Sequence, residues 1–289
     1  MRPPGSDAPA PVRPRPRGTP PESETEADLH RPPTAPGPSP SRDGDDTDRA
    51  VWVQLCNLQR RILPQKPPEV PGYRLALAYR PAFAVTGDYH DFFTRPDGRT
   101  AAFVGDASGH GPAASMLMAI MRTILRTHDV HRGEPGRTLG DAGRIFHDLI
   151  PSDLFMTGVY LRLGEGGAVS WAAAGHHPPL WVTRAGVVVP IDLTAIGHVL
   201  GFEAGEGYTT VHHEMGVGDR LLLFTDGLWD ARNEAGEPFT RLRLWHHMQY
   251  TMDDPLEDVI GGLVGVVTSH IKGSEFEDDF TILGIERTG

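Results

Sequence analysis

The chain has 289 residues, 39% of them hydrophobic, a formal net charge of −11 and one cysteine, Cys56. That charge argues against a dedicated nucleic-acid binder, which needs basic surface to neutralise phosphates. A lone cysteine allows neither an internal disulfide nor a cysteine-based zinc site. No apolar run reaches the ~18 residues needed to span a membrane, and no apolar leader opens the chain, so a cytoplasmic protein with no membrane partner is expected.

Thirteen of the 27 prolines fall within the first 40 residues, interleaved with the basic stretch Arg13–Arg17 and the acidic stretches Glu22–Asp28 and Asp43–Asp48. Residues 1–47 therefore read as a disordered Pro-rich tail, either a plain linker or a docking tail, because such a composition cannot bury enough apolar surface to offset the entropy of ordering. Residues 48–71 follow as an amphipathic helix and linker. Val51, Leu55, Leu58 and Ile62 recur at helical spacing, and Pro64, Pro67, Pro68 and Pro71 stop the helix. That helix either packs on the domain behind it or serves as a handle for an activating partner at residues 48–65 or for a homodimer.

Strands are expected at Tyr73–Tyr79, Ala84–Phe93 and Thr100–Val104. A helix opens near Pro112, with Ala113, Met116, Leu117, Ile120, Met121 and Ile124 on one face. The methionines Met116, Met118 and Met121 read as core filler. A second helix runs over Thr138–Leu149. Strand-like segments return at Phe155–Leu163, Ala168–Ala174, Leu180–Thr183, Gly186–Ile191, Tyr208–Glu214 and Arg220–Thr225. Two helices, Arg241–Tyr250 and Pro255–Ile271, then precede a last strand at Phe280–Glu286. Strands, two helices, strands, two helices and a strand make an α+β chain in which helix pairs cover antiparallel sheets.

Four acidic segments share one grammar, an aspartate at a strand end beside glycine or another carboxylate: Gly87-Asp88-Tyr89-His90-Asp91, Gly105-Asp106-Ala107-Ser108-Gly109-His110-Gly111, Thr225-Asp226-Gly227 and Glu277-Asp278-Asp279. Converging carboxylates repel unless a cation lies between them, and an all-oxygen set suits magnesium or manganese rather than zinc. Each segment alone also has an ordinary reading. Asp226-Gly227 is a turn signal, Asp106 a helix cap, and Asp278-Asp279 a solvated loop. Four of them in one chain favour a metal cluster. The pairs His176-His177, His212-His213 and His246-His247 are poor chelators, since neighbours on a strand face opposite ways.

Pro81-Ala82 with Gly87-Asp88-Tyr89-His90-Asp91-Phe92 resembles the PA…GGDYYDF element of the metal-dependent protein phosphatases, the type 2C family. Val104–Gly111 with Ala113-Ala114 resembles its VGDVSGHGxxAA, and Ala174-Gly175-His176-His177-Pro178-Pro179-Leu180 its AGHxPPL. Gly218-Asp219 with Leu223–Gly227 is similar to GDxLxLYTDG, Asp278-Asp279-Phe280-Thr281 to DDxT, and Leu58–Pro64 to a preceding LQxxLLP helix. The set is that of the sporulation stage II E-like (SpoIIE-like) and stress-response branch of bacterial phosphatases, and it spans about residues 52–286.

The resemblance implies a four-layer α-β-β-α sandwich of two antiparallel sheets, with residues 72–289 as the phosphatase domain. It implies two or three manganese or magnesium ions. Asp106 bridges two of them, the Ala107 carbonyl completes the first, and Asp226 and Asp278 hold the second. Asp88 sits alongside, Asp279 and His110 are weaker candidates, and Asp106 and Asp226 count as catalytic. The implied substrate is a phosphorylated regulator such as an anti-sigma-factor antagonist. Departures from the pattern are Thr86 for glycine, His90 for tyrosine, Asp230 for glutamate, and Gly197-His198-Val199-Leu200-Gly201 for GxPLG. A catalytically weak phosphoprotein-binding module and a hydrolase of small phosphoesters are the competing readings.

Overall fold

The computed structural model describes residues 46–82, 85–95, 97–127, 133–189, 193–202, 207–272 and 276–289, with the backbone alone for 46–49. The expected tail at 1–47 thus lies outside the described residues except for 46–47, which begin a helix. Apolar runs with period two become β1 (Tyr73–Arg80), β2 (Tyr89–Thr94), β3 (Thr100–Ala107), β4 (Met156–Leu163) and β5 (Ala168–Ala174). They are followed by β6 (Leu180–Val182), β7 (Val188–Val189), β8 (Ile196–Gly197), β9 (Val211–Glu214), β10 (Arg220–Phe224) and β11 (Phe280–Arg287). The helices are α1 (Asp46–Ile62), α2 (Gly111–Thr127), α3 (Pro135–Leu149), α4 (Arg241–Tyr250) and α5 (Leu256–His270).

One sheet runs β1-β11-β10-β6-β7, the other β2-β3-β4-β5-β8 with β9 also paired to β5. Strand alternation sorts side chains into three apolar layers. Along β1, Leu75 points between the sheets with Val104, Leu161, Trp171, Leu223 and Leu283. Its neighbour Ala76 faces α4 and α5, among Leu222, Leu244, Met248, Ile260 and Val264. The other sheet packs Phe103 and Tyr160 outward against Met118, Met121, Leu139 and Phe146 of α2 and α3. The α+β four-layer sandwich is therefore as expected. Among the named strands one pairing departs from antiparallel: β8 enters beside β5 in parallel, Ala173 opposite Ile196, because the chain crosses over from β7 in the opposite sheet.

Three local expectations need correction. The segment before β2 is a loop rather than strand from Val85 to Asp88, held by side-chain bonds described below; Phe83 and Ala84 lie outside the described residues. The inner face of α2 is Ala114, Leu117, Met118, Met121, Ile124 and Leu125, so Ala113 and Met116 point to solvent. Of the expected face of α1, Ile62 packs against the core, but Val51 (50%), Leu55 (37%) and Leu58 (58%) are exposed on the outer side. What α1 turns inward is Trp52, Cys56, Gln59 and Leu63 just beyond it. Gln59 is buried because its amide pairs with backbone, donating to Thr86 O at 2.7 Å and accepting from Thr86 N at 2.9 Å. No helix among the described residues is long and apolar enough to cross a membrane.

Candidate metal centre

The predicted aspartates converge because three strand ends do. Asp106 is the penultimate residue of β3, opposite Thr157 on β4. Asp226 follows β10 and opens a single turn, its carbonyl accepting from the amides of Trp229 and Asp230 at 3.0 Å each. Asp278 lies just before β11, and β10 and β11 are antiparallel neighbours, Phe224 opposite Ile282. The end of one therefore meets the start of the other. Gly227 makes that meeting possible, since a Cβ there would collide with the Asp279 carbonyl oxygen.

Asp88 and Asp279 hold the loop between β1 and β2 against these ends. Asp88 is 1% exposed, and its carboxylate Oδ2 accepts from the hydroxyls of Thr225 (2.8 Å) and Thr281 (2.7 Å). Its own amide donates to Thr86 Oγ1 at 2.9 Å, so the threonine that departs from the family pattern caps the loop. Asp279 Oδ1 accepts from Ala82 N (2.7 Å) and Oδ2 from Gly87 N (3.3 Å). Both its oxygens are thus engaged in fixing the loop, which makes Asp279 a clamp. At Gly87 a Cβ would lie 3.0 Å from the Ala107 carbonyl oxygen and 3.2 Å from Asp106 Oδ1; glycine lets the loop close on those two predicted donors.

Charge repulsion marks the cluster. Burial, then the carboxylates of Asp226, Asp278 and Asp279, pushes Asp106 up to about 8. Burial, then Asp226 and Asp279, raises Asp278 to about 6, with the exposed His110 and the Asp279 amide pulling the other way. Asp226 is raised by burial and by Asp230, the residue that replaces glutamate. Asp88 is raised well above the usual range by burial, Asp106 and Asp279, against the two threonine hydroxyls. Among the described residues no three His, Cys, Asp or Glu side chains close around one point. The donor chemistry nonetheless fits hard divalent ions: partly exposed carboxylates from separate strands and a backbone carbonyl, with room for water to complete the shell.

Two other departures are accommodated by the fold. His90 Nε2 lies 2.9 Å from Pro64 O, tying β2 to the segment after α1. The proline-free 197–201 loop is held by Leu200, whose amide and carbonyl exchange bonds with Met156 at 2.8 and 2.9 Å. Of the histidine pairs, His212 and His213 alternate on β9 as expected, whereas His176 and His177 lie past β5 with ring centroids 4.2 Å apart. Thr225, Thr281 and Gln59 are not among the expected site residues, although all three stand inside the quoted motifs; the signal of the two threonines is a hydroxyl one or two residues from an acid at a strand end.

Residues 96–288 match the family profile of Stage II sporulation protein E, SpoIIE. The chain belongs to the SpoIIE family. Protein IcfG of Synechocystis sp. is 26% identical over 261 residues, covering 80% of this chain and 40% of IcfG. The phosphoserine phosphatase RsbU of Bacillus subtilis is 23% identical over 235 residues, covering 80% of this chain and 68% of RsbU. The solved RsbU and RsbW domains of Rv1364c from Mycobacterium tuberculosis superpose with a TM-score of 0.65 at 27% identity, covering 76% of this chain and 61% of that one. This SpoIIE-family chain therefore spans less than half the length of IcfG and under two thirds of the Rv1364c structure.

Proposed function

We propose that this chain is a metal-dependent protein-serine/threonine phosphatase acting on a phosphorylated regulatory protein, such as an anti-sigma-factor antagonist. The observation that carries the reading is the approach of Asp106, at the end of β3 in one sheet, to Asp226 and Asp278, beside the paired ends of β10 and β11 in the other, within a SpoIIE-family fold. Its relative RsbU bears the name phosphoserine phosphatase. Asp106 would bridge two manganese or magnesium ions, with the Ala107 carbonyl on one and Asp226 and Asp278 on the other. Such a pair supplies an activated water aimed in line at a phosphate ester and neutralises the charge that develops. Asp88, with one oxygen held by two hydroxyls, uses the other to orient water beside Asp106. Asp279 keeps the loop closed over the donors. No sulfur nucleophile is called for in such a mechanism. A cytoplasmic setting goes with this reading.

The test is phosphate release from a phosphoserine protein in manganese. Release that EDTA abolishes is expected. Retained release in EDTA would contradict the metal dependence; manganese-dependent release from a small phosphoester but not from the phosphoprotein would favour the small-ester reading, and manganese binding with phosphoprotein capture and no release the binding-module reading.

α1 extends the proposal to regulation. Its outer stripe of Val51, Leu55 and Leu58 is free for an activating protein or a second copy of the chain, while Gln59 on its inner face grips Thr86, two residues before Asp88. Gln59→Leu removes two buried hydrogen bonds, worth roughly 1 kcal/mol each and more where the backbone partner stays dry. Its expected effect is a loss of about tenfold in activity, with a raised manganese requirement in a titration of rate against metal. An unchanged titration would disconnect α1 from the centre.

A further inference from the structure

His176 lies just past β5 and is 4% exposed. Its Nε2 is 2.8 Å from Phe224 O, at the end of β10 in the opposite sheet, and its Nδ1 is 2.8 Å from Thr157 Oγ1 on β4. A carbonyl only accepts, so Nε2 carries the proton and donates, and Nδ1 accepts from the threonine hydroxyl. Burial pulls the ring down to about 4, which keeps this single-proton form at neutral pH. The ring is thus a cross-link between the two sheets.

What it joins matters. Thr157 is the ladder partner of Asp106. Phe224 leads directly into Thr225, which holds Asp88, and Asp226. The next residue offers a contrast. His177 has neither ring nitrogen partnered among the described residues and is packed by ring contacts alone, 4.4 Å from Phe224 and 4.1 Å from Trp229. His177 shows what a merely packed histidine looks like here. His176 instead has both nitrogens satisfied, each by the strand that carries or neighbours one predicted metal donor.

We propose that His176 is a positioning residue of the metal centre: as its Nε2–H tautomer between Thr157 and Phe224, it sets the separation of Asp106 from Asp226. The inference rests on those two aspartates sharing the ions proposed above. Groups that hold a metal ligand in place commonly alter metal affinity by about 10–100-fold when removed.

The test is a double-mutant cycle on manganese affinity, measured by calorimetry on the full metal-free chain, with Thr157→Val and His176→Leu. Each single variant is expected to weaken binding roughly tenfold or more, and the double variant no more than His176→Leu alone, because both break one linkage. His176→Gln, which keeps a donor for Phe224 O, should recover part of the affinity, and His177→Gln should stay near wild type. Nitrogen-15 spectra of the wild type should show Nε2 protonated. Additive losses, unaltered affinity in folded Thr157→Val, or an Nδ1–H tautomer would overturn the inference alone. No manganese binding by the wild type would overturn the metal reading and this inference with it.

Discussion

Asp106→Asn is expected to abolish metal-dependent phosphate release, on the order of 10³-fold, while making the metal-free protein more stable. The first effect follows from removing the one carboxylate proposed to bridge both ions, which supplies several kcal/mol of transition-state stabilisation. The second follows from repulsion. The Asp106 carboxyl titrates at about 8 in the fold, against about 3.9 in an unfolded chain. Between those values the folded state binds more protons than the unfolded one, so this group's contribution is intact below about pH 4 and is lost as pH rises through about 8. Asparagine cannot ionise, so its advantage over wild type should grow with pH. A difference of a few kcal/mol in a domain of this size raises the melting temperature by about 2–4 °C for each kcal/mol. Thermal melts in EDTA across that range check this; a variant less stable than wild type at every pH would show that Asp106 is not under repulsion.

Gly227→Ala should be the most damaging single methyl group in the centre. It lies between Asp226 and the strand entry bearing Asp278 and Asp279, and the added Cβ meets the Asp279 carbonyl, a backbone atom that cannot swing aside. Relief requires β10 and β11 to separate at the point where their carboxylates converge. Overpacking of this kind costs roughly 1–3 kcal/mol. The effect on activity should be larger than stability alone explains, at least about 10²-fold, because misplacement by about 1 Å is that costly at a reacting centre. Rate and denaturation measured on the same preparation separate the two. Full activity would mean that the turn after Asp226 does not position the ions.

Both predictions concern motifs, an aspartate and the glycine beside another, whose importance is legible in the amino-acid sequence itself, and the reason is local. Glycine-flanked aspartates at strand ends keep their grammar whatever surrounds them, as does the all-apolar inner stripe of α5, Leu256, Val259, Ile260, Leu263, Val264 and Val267. What stays hidden in the sequence depends on distant partners. The face of α1 cannot be told from its apolar spacing because burial there follows a polar residue, Gln59, whose partner Thr86 is 27 residues away. Val85–Asp88 reads as strand by composition but is drawn into a loop by Asp279, 192 residues from Gly87. His176 is one of two adjacent histidines, and its role as a link shows only through distant partners, Thr157 on β4 and Phe224 in the opposite sheet. The stripe of α2 differs for a smaller reason: Ala113 and Ala114 are indistinguishable by hydrophobicity, and packing selects the second.

Calorimetric titration of manganese into the metal-free chain, wild type beside Asp106→Asn, tests the central claim most directly. The proposed centre predicts two ions bound by the wild type, with the bridging pair lost in the variant. Equal binding by both proteins, or none by the wild type, would contradict a metal centre built on Asp106.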